Sequence, residues 1–309
     1  MSLESDLLLD RRRLKRRLSF WRGFSVLAVL AAVLAAALRF GGIEWPHVAR
    51  LTVSGVITDD RKLVEQVRDL ADDDAVKALL VEIDSPGGSV AGGEDLHDAI
   101  AAVAAKKPVV AVMGGLAASA GYMIAVPATR IFARPGTLTG SIGVLLESGD
   151  IGGLLARIGI TPETIVSGPL KDQPSLTHPL SPEGREVLHG LVMDMYAQFV
   201  GMVAEGRHMD EARVRELADG RAYTGRQALA LGLVDQMGGE AEARDWLAHD
   251  RSVPRRLPVE DVETKSLAER TIGATLGPLF QAAVKTIAWQ GLRLDGAWAI
   301  WQPSGAGEQ

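Results

Sequence analysis

The chain has 309 residues, 47% hydrophobic and 23% charged, a balance that belongs to folded proteins rather than disordered ones. It holds no cysteine and no asparagine, which excludes disulfides, thiolate metal sites, cysteine nucleophiles, N-glycosylation and an asparagine oxyanion donor. A net charge of −6 argues against nucleic acid as a partner.

The charge is unevenly spread. Arg11 to Arg17 reads R-R-R-L-K-R-R, and Arg22 precedes an apolar run from Gly23 to Leu38 that carries no charge. With Phe20 and Trp21 before it and Phe40 after it, the stretch approaches the ~20 residues that cross a bilayer core, and Arg22 can snorkel to the headgroups. Positive charge on the leading flank sets the N-terminus in the cytoplasm and exports everything beyond Phe40. Residues 1–45 therefore read as a basic tail and an uncleaved transmembrane signal anchor, which places the chain in the inner (cytoplasmic) membrane as a single-pass protein. A cleavable secretory signal is the alternative, because Ala35 to Ala37 has the small residues of a cleavage site.

Val48 to Ile57 alternates β-branched and smaller residues and predicts a strand, and Asp59 to Ala71 predicts a helix with Leu63, Val67 and Leu70 on one face. Val76 to Ile83 is a continuous apolar run, as in a strand buried on both faces of a parallel sheet, and it ends at Asp84-Ser85-Pro86-Gly87-Gly88. Residues 89–105 read as helix, Pro108 to Met113 as a second buried strand stopped by Gly114-Gly115, and Ala117 to Ala125 as a helix start. Repeated strand, glycine turn and helix imply an α/β sheet with parallel crossovers, whose ligand sites lie beyond the carboxyl ends of the strands. Downstream the patterns predict a strand after Arg130, a helix near Ile151 to Ile158, a strand near Thr164 to Val166 and a Pro-rich loop to Pro182. An amphipathic helix from Leu188 to Val203, a shorter one from Asp210 to Ala218 and a helical Arg226 to Leu231 complete a domain over residues 46–250. In residues 251–309, Pro254 and Pro258 read as a linker. Residues 268–301, with Trp289, Trp298 and Trp301, read as an amphipathic segment that packs on a partner subunit, on the membrane surface or on its own domain.

Two glycine turns carry the candidate chemistry. Ser85-Pro86-Gly87-Gly88 could aim backbone N–H groups at a ligand or be a tight turn alone. Ser119, among small residues at a helix N-terminus, could be a nucleophile or an N-cap. None of the six histidines sits in a triad setting, although His97 and His178 stay open as bases. There is no H-E-x-x-H, Walker loop or G-x-G-x-x-G, so neither a metal nor a cofactor is expected. Lys171, isolated in a Gly/Pro loop, reads by itself as a solvated charge.

The motifs in order are Ile83-Asp84-Ser85-Pro86-Gly87-Gly88, Ala118-Ser119-Ala120-Gly121-Tyr122, Thr139-Gly140-Ser141-Ile142-Gly143-Val144 and Gly168-x-x-Lys171-Asp172. Gly220-Arg221-x-Tyr223-Thr224-Gly225-Arg226-x-Ala228 follows and leads to Gly232-Leu233-Val234-Asp235. In this order and spacing the chain resembles the bacterial signal peptide peptidases of the short SppA type over about Val48 to Gly239, with the anchor matching as well. These are membrane-anchored serine endopeptidases of the ClpP/crotonase-like fold, built from repeated β-β-α units. The resemblance implies a Ser/Lys dyad of Ser119 as nucleophile and Lys171 as general base. It also implies an oxyanion hole of backbone N–H groups from Gly88 and Ala120, with Gly87 the lesser candidate. The implied substrates are signal peptides, other hydrophobic peptides and unfolded exported proteins. The implied assembly is a homo-oligomeric ring, an octamer favoured, with the serine and the lysine coming from neighbouring subunits. Ala120 and Met123 stand where the family has glycine and an aromatic, which bears on pocket width and leaves the dyad intact. A lysine of ordinary pKa, ~10.4, is protonated near neutrality, so Lys171 must lose water to act as a base. The alternatives are a non-catalytic membrane scaffold that binds exported peptides and an acyl-CoA enzyme of the same fold, against which the anchor argues.

Overall fold

The computed structural model describes residues 17, 20–29, 45–262 and 298–300. It has two compact units, Met1–Trp45 and Pro46–Gln309. In the first, helix α1 (Phe20–Val29) is apolar and exposed, with Phe20, Trp21 and Phe24 in edge-to-face contact. The rest of the predicted span, to Leu38, lies outside the described residues.

The second unit is organised around one sheet. Strand β1 (His47–Ile57), helix α2 (Arg61–Asp69), strand β2 (Val76–Ser89), helix α3 (Val90–Ala104) and strand β3 (Val109–Ala118) follow one another, and the three strands pair in parallel. After helix α4 (Ala120–Met123) come β4 (Arg130–Ala133) and β5 (Leu138–Gly140), both parallel to β3. Helices α5 (Gly152–Arg157), α6 (Pro182–Arg207) and α7 (Glu211–Leu217) precede β6 (Ala222–Thr224), helix α8 (Gly225–Leu231), β7 (Gln236–Met237), helix α9 (Glu240–Asp250), β8 (Val259–Asp261) and β9 (Trp298–Ile300). The strand order is β6-β5-β3-β2-β1-β8, with β4, β7 and β9 off that path.

The apolar run in β2 explains its central place. Leu79, Val81 and Ile83 belong to the core on one face of the sheet, and Ala78 and Leu80 to the core on the other. Strand alternation thus buries both sets of side chains, and full burial of a Val, Leu or Ile side chain is worth ~1.5–3 kcal/mol.

The structure departs from the sequence patterns in instructive places. β2 does not stop at Ile83. It continues to Ser89, with Val56 opposite Gly87 and Ile57 opposite Gly88, after a shift of register. A Cβ at Gly88 would lie 1.9 Å from the Ile57 carbonyl oxygen, so this glycine lets β2 press against β1 where a turn was expected. β3 likewise runs past Gly114-Gly115, pairing with β2 as far as Ala117 and taking β5 in place of β4 on its other side. The helix expected over Ala117 to Ala125 is confined to α4, and Thr164 to Val166 forms no strand, with Ile165 94% exposed. Helix α9 was not anticipated; its N-terminal Gly239 N–H donates to the Glu242 carboxylate at 2.7 Å. Within the stretch read as a linker, β8 pairs with β1, and Arg50 holds Asp261 at 2.6 Å. Of residues 268–301, all but 298–300 lie outside the described residues.

Among the described residues, α6 is the one helix long and apolar enough to cross a membrane by length and composition. Its Phe199, Val200 and Val203 are instead buried in the core of the sheet domain. Its first half exposes Val187, Leu191 and Met193.

Candidate active site

Ser119 joins β3 to α4 in a conformation that L-residues avoid, with φ 56° and ψ −121°. Its backbone is held on both sides: Ser119 N–H donates to the Gly140 carbonyl at 2.8 Å, and the Ser119 carbonyl accepts from Tyr122 and Met123 at 2.8 and 2.9 Å. It occupies the N-cap position, yet its side chain makes no cap bond. The hydroxyl is buried, 1% exposed, and has no hydrogen-bond partner. An unsatisfied buried hydroxyl costs ~1–3 kcal/mol and a strained backbone residue ~1–3 kcal/mol. Both costs fall on one serine on a sharp strand-to-helix turn, the geometry that lifts a nucleophile into reach of substrate.

Small residues make the turn possible. A Cβ at Gly121 would come within 2.9 Å of the Ser85 carbonyl, so the Ser119 turn packs directly on Ser85. A Cβ at Gly93 would lie 2.9 Å from Met123 Sδ and 3.1 Å from Ala120 Cβ. The two side chains that depart from the family pattern are therefore accommodated by a glycine of α3, and both are fully buried. Ser85 Oγ in turn donates to the Gly55 carbonyl at 2.6 Å and accepts from the Gly87 N–H at 3.1 Å. This commits the Gly87 N–H locally. The Ala120 N–H is at the first helical position, where an α-helix offers no internal acceptor.

Behind the turn, the Tyr122 hydroxyl donates to the Leu233 carbonyl at 2.8 Å, and burial pushes its pKa far up, so it stays a neutral donor. Arg207, at the end of α6, grips Asp235 through two bonds of 2.6 and 3.1 Å and donates to the Gly232 carbonyl at 3.0 Å. Burial disfavours the Arg207 charge, but Asp235 more than compensates and its pKa is raised. Asp235 also accepts from the Ile131 N–H at 2.7 Å, tying β4 to the same cluster. Arg207 escaped the sequence reading, since nothing in a helix-ending arginine indicates an acceptor 28 positions away.

Lys171 lies apart from this order. Its side chain is exposed, its N–H donates to the Gly168 carbonyl at 3.1 Å, and its ammonium joins no ion pair among the described residues. The neighbouring Asp172 carboxylate accepts from His178 Nε2 at 2.8 Å, while His178 Nδ1 faces the Pro179 carbonyl at 3.3 Å. Asp172 first, and that carbonyl second, raise the pKa of His178. Gln173 anchors the loop by accepting from the Ser181 N–H at 3.1 Å, at the start of α6. His97, the other histidine left open, contacts Asp98 at 3.0 Å. Within one chain, then, Ser85 links the Gly87 N–H to the Ser119 turn, which packs on it at Gly121, and neither Lys171 nor a histidine bonds the serine hydroxyl. Between α5 and Lys171 the chain leaves Ile158, Ile160, Ile165, Val166 and Leu170 exposed.

The sequence profile of peptidase family S49 matches residues 101–254, and that of Clp protease residues 50–137. The chain is 40% identical over 229 residues to "Putative protease slr0021" of Synechocystis, covering 73% of this chain and 83% of that one. It is 35% identical over 269 residues to "Putative signal peptide peptidase SppA" of Enterococcus faecium, covering 82% and 75%. To "Serine protease SPPA, chloroplastic" of Arabidopsis thaliana it is 33% identical over 229 residues, covering 74% of this chain and 34% of the plant protein.

Proposed function

Because the chain belongs to peptidase family S49 and is a serine peptidase of ClpP-like fold, we propose that Ser119 is its nucleophile and Lys171 its general base, meeting across a subunit boundary. The observation that carries this reading is the Ser119 hydroxyl, buried and unbonded on a strained turn. Among the described residues of its own chain nothing bonds that hydroxyl, which leaves it free for a partner from a neighbouring subunit. Lys171 is the complementary half: an amine with no ion pair among the described residues, next in the chain to the exposed Leu170, on a segment that a neighbouring subunit would cover. Covering it would strip water from the amine, and loss of water disfavours the charged form of a lysine, as a general base requires.

In the assembled site neutral Lys171 takes the Ser119 proton as Oγ adds to the substrate carbonyl. The oxyanion is received by the N–H groups of Gly88 and Ala120, each such donor contributing ~3–4 kcal/mol in related chemistry. Gly87 is the poorer donor because Ser85 already engages its N–H. Protonated Lys171 then gives its proton to the leaving amine, and a water activated by the same lysine releases the acyl group. The substrates of this reading are hydrophobic peptides, signal peptides among them, met at the outer face of the inner membrane by a ring tethered through residues 1–45. A fluorophosphonate probe tests it: wild type is labelled at Ser119, while Ser119→Ala and Lys171→Ala take up no label and hydrolyse neither casein nor a signal peptide. Equal hydrolysis by all three would refute the dyad.

A further inference from the structure

Helix α6 is capped by a residue outside itself. At its N-terminus the Ser181 hydroxyl accepts from the Gly184 N–H at 2.9 Å, which is one half of a capping box. The other half, an acceptor for the N-cap N–H, normally comes from a Glu or Gln at the third helical position. That is the arrangement in α8, where Gln227 accepts from the Thr224 N–H at 2.9 Å, and in α9, where Glu242 accepts from the Gly239 N–H at 2.7 Å. In α6 the third position is Gly184, which has no side chain to offer, and the Ser181 N–H is taken instead by Gln173 Oε1 at 3.1 Å. A Cβ at Gly184 would lie 2.5 Å from Gln173 Oε1 and 3.0 Å from its Cγ and Cδ, so the glycine makes the seat that the Gln173 carboxamide fills. The missing half of the cap is thereby supplied from the loop, two residues after Lys171.

We propose that Gln173 is a positioning residue for the base, joining the Lys171 loop to α6 so that the amine is presented to the neighbouring subunit in one place. The proposal rests on the reading of Lys171 as that base. Two residues of main chain span ~7 Å at most, so fixing Gln173 confines the Lys171 backbone to a small volume. The platform is firm. Phe199, Val200 and Val203 of α6 lie in the core, and Arg207 at its far end grips Asp235. A Cβ at Gly206 would come within 2.6 Å of the Val126 carbonyl, so that end sits directly on the chain that follows α4. The Asp172–His178 bond, by contrast, ties the loop only to itself. A loop held on a rigid helix lets Lys171 meet an incoming Ser119 without first being ordered, and misplacing a reacting group by ~1 Å costs up to ~10²-fold in rate.

The test compares wild type, Gln173→Ala, Gln173→Glu and the double variant Gln173→Ala with Gly184→Glu, each as the full-length protein in detergent micelles at the wild-type assembly size. Glutamate at 173 keeps an acceptor for the Ser181 N–H. The double variant returns the acceptor to the helix, in space vacated by the truncated side chain, and so restores the cap while leaving the loop untied. Melting temperature, amide exchange over residues 168–180 and peptide hydrolysis are measured on each. Gln173→Ala is expected to melt ~2–4 °C lower, to exchange faster in the loop and to lose at least ~10-fold in kcat with KM unchanged. Gln173→Glu should match wild type in all three. The double variant should recover the melting temperature but neither the loop protection nor kcat. Recovery of kcat together with the melting temperature would reduce Gln173 to a helix cap and overturn the proposal, as would an undiminished kcat in Gln173→Ala. Lys171→Ala, run alongside, separates the two readings. If it is fully active the base assignment falls, whereas if it is inactive beside an unimpaired Gln173→Ala only the role of Gln173 falls.

Discussion

The Ser119 turn and the Lys171 loop, the two halves of the proposed dyad, are built in opposite ways. Around Ser119 the backbone is bonded on both flanks, the neighbours are fully buried, and the side-chain atom left unsatisfied is the hydroxyl itself. Around Lys171 the side chains stand in solvent and the local order depends on an Asp172–His178 pair and a Gln173 anchor. In the proposed reading one half is finished within the protomer and the other by a neighbouring subunit. A rigid nucleophile paired with a base delivered by a neighbour would make activity conditional on assembly.

The largest effects should fall on chemistry and spare the fold. Ser119→Ala is expected to lower kcat by ~10⁴-fold or more while leaving the melting temperature unchanged or slightly higher, since it deletes a buried polar atom that nothing satisfies. Lys171→Ala should lower kcat comparably with no change in protomer stability, because its side chain is exposed and unpaired. A marked loss of stability in either variant would erase the contrast drawn between the two regions.

Next comes the scaffold behind the turn. Arg207→Leu strands the Asp235 carboxylate against Ile131 and should destabilise the domain by ~3 kcal/mol in urea unfolding, the cost of breaking a largely buried pair from one side. The matched change on the Lys171 side, His178→Ala, should loosen its loop but cost the domain little in urea unfolding, since a half-exposed pair contributes little to global stability.

The smallest effect is a pH dependence confined to the Lys171 loop. Asp172, and then the Pro179 carbonyl, raise the pKa of His178 above its unfolded value of ~6.5. Its contribution to loop order is therefore fully present below that unfolded value and is lost as pH rises through the higher folded one. Amide exchange over residues 168–179 should quicken across that window in wild type and show no such step in His178→Ala. A step of equal size around Ser119 would contradict the separation of the two regions.

Much of this was legible in the sequence because burial leaves a periodic trace. The apolar run Val76 to Ile83 announced a strand covered on both faces, whereas the close packing that the small residues around Ser119 permit appeared only in the structure. What the patterns misplaced were places where one residue type serves two ends. Gly87-Gly88 reads as a stop, but here glycine permits close approach and prolongs β2. Thr164 to Val166 has strand composition without a strand to pair with, and composition alone does not supply a partner. The Arg207–Asp235 clamp and the seating of β9 on Gly87–Ser89 join residues distant in sequence, and no local spacing records them. The role proposed for Lys171 rests on the motif order alone, since neither its loop nor its exposure in the protomer marks it as a base.

Complementation between dead subunits tests the central claim most directly. Ser119→Ala and Lys171→Ala chains, each inactive alone, are to be co-expressed and purified as one assembly, and casein hydrolysis measured. A dyad shared between subunits predicts that the mixed assembly regains activity, because some interfaces unite an intact Ser119 with a neighbour's intact Lys171. A mixed assembly as inactive as either parent would contradict it.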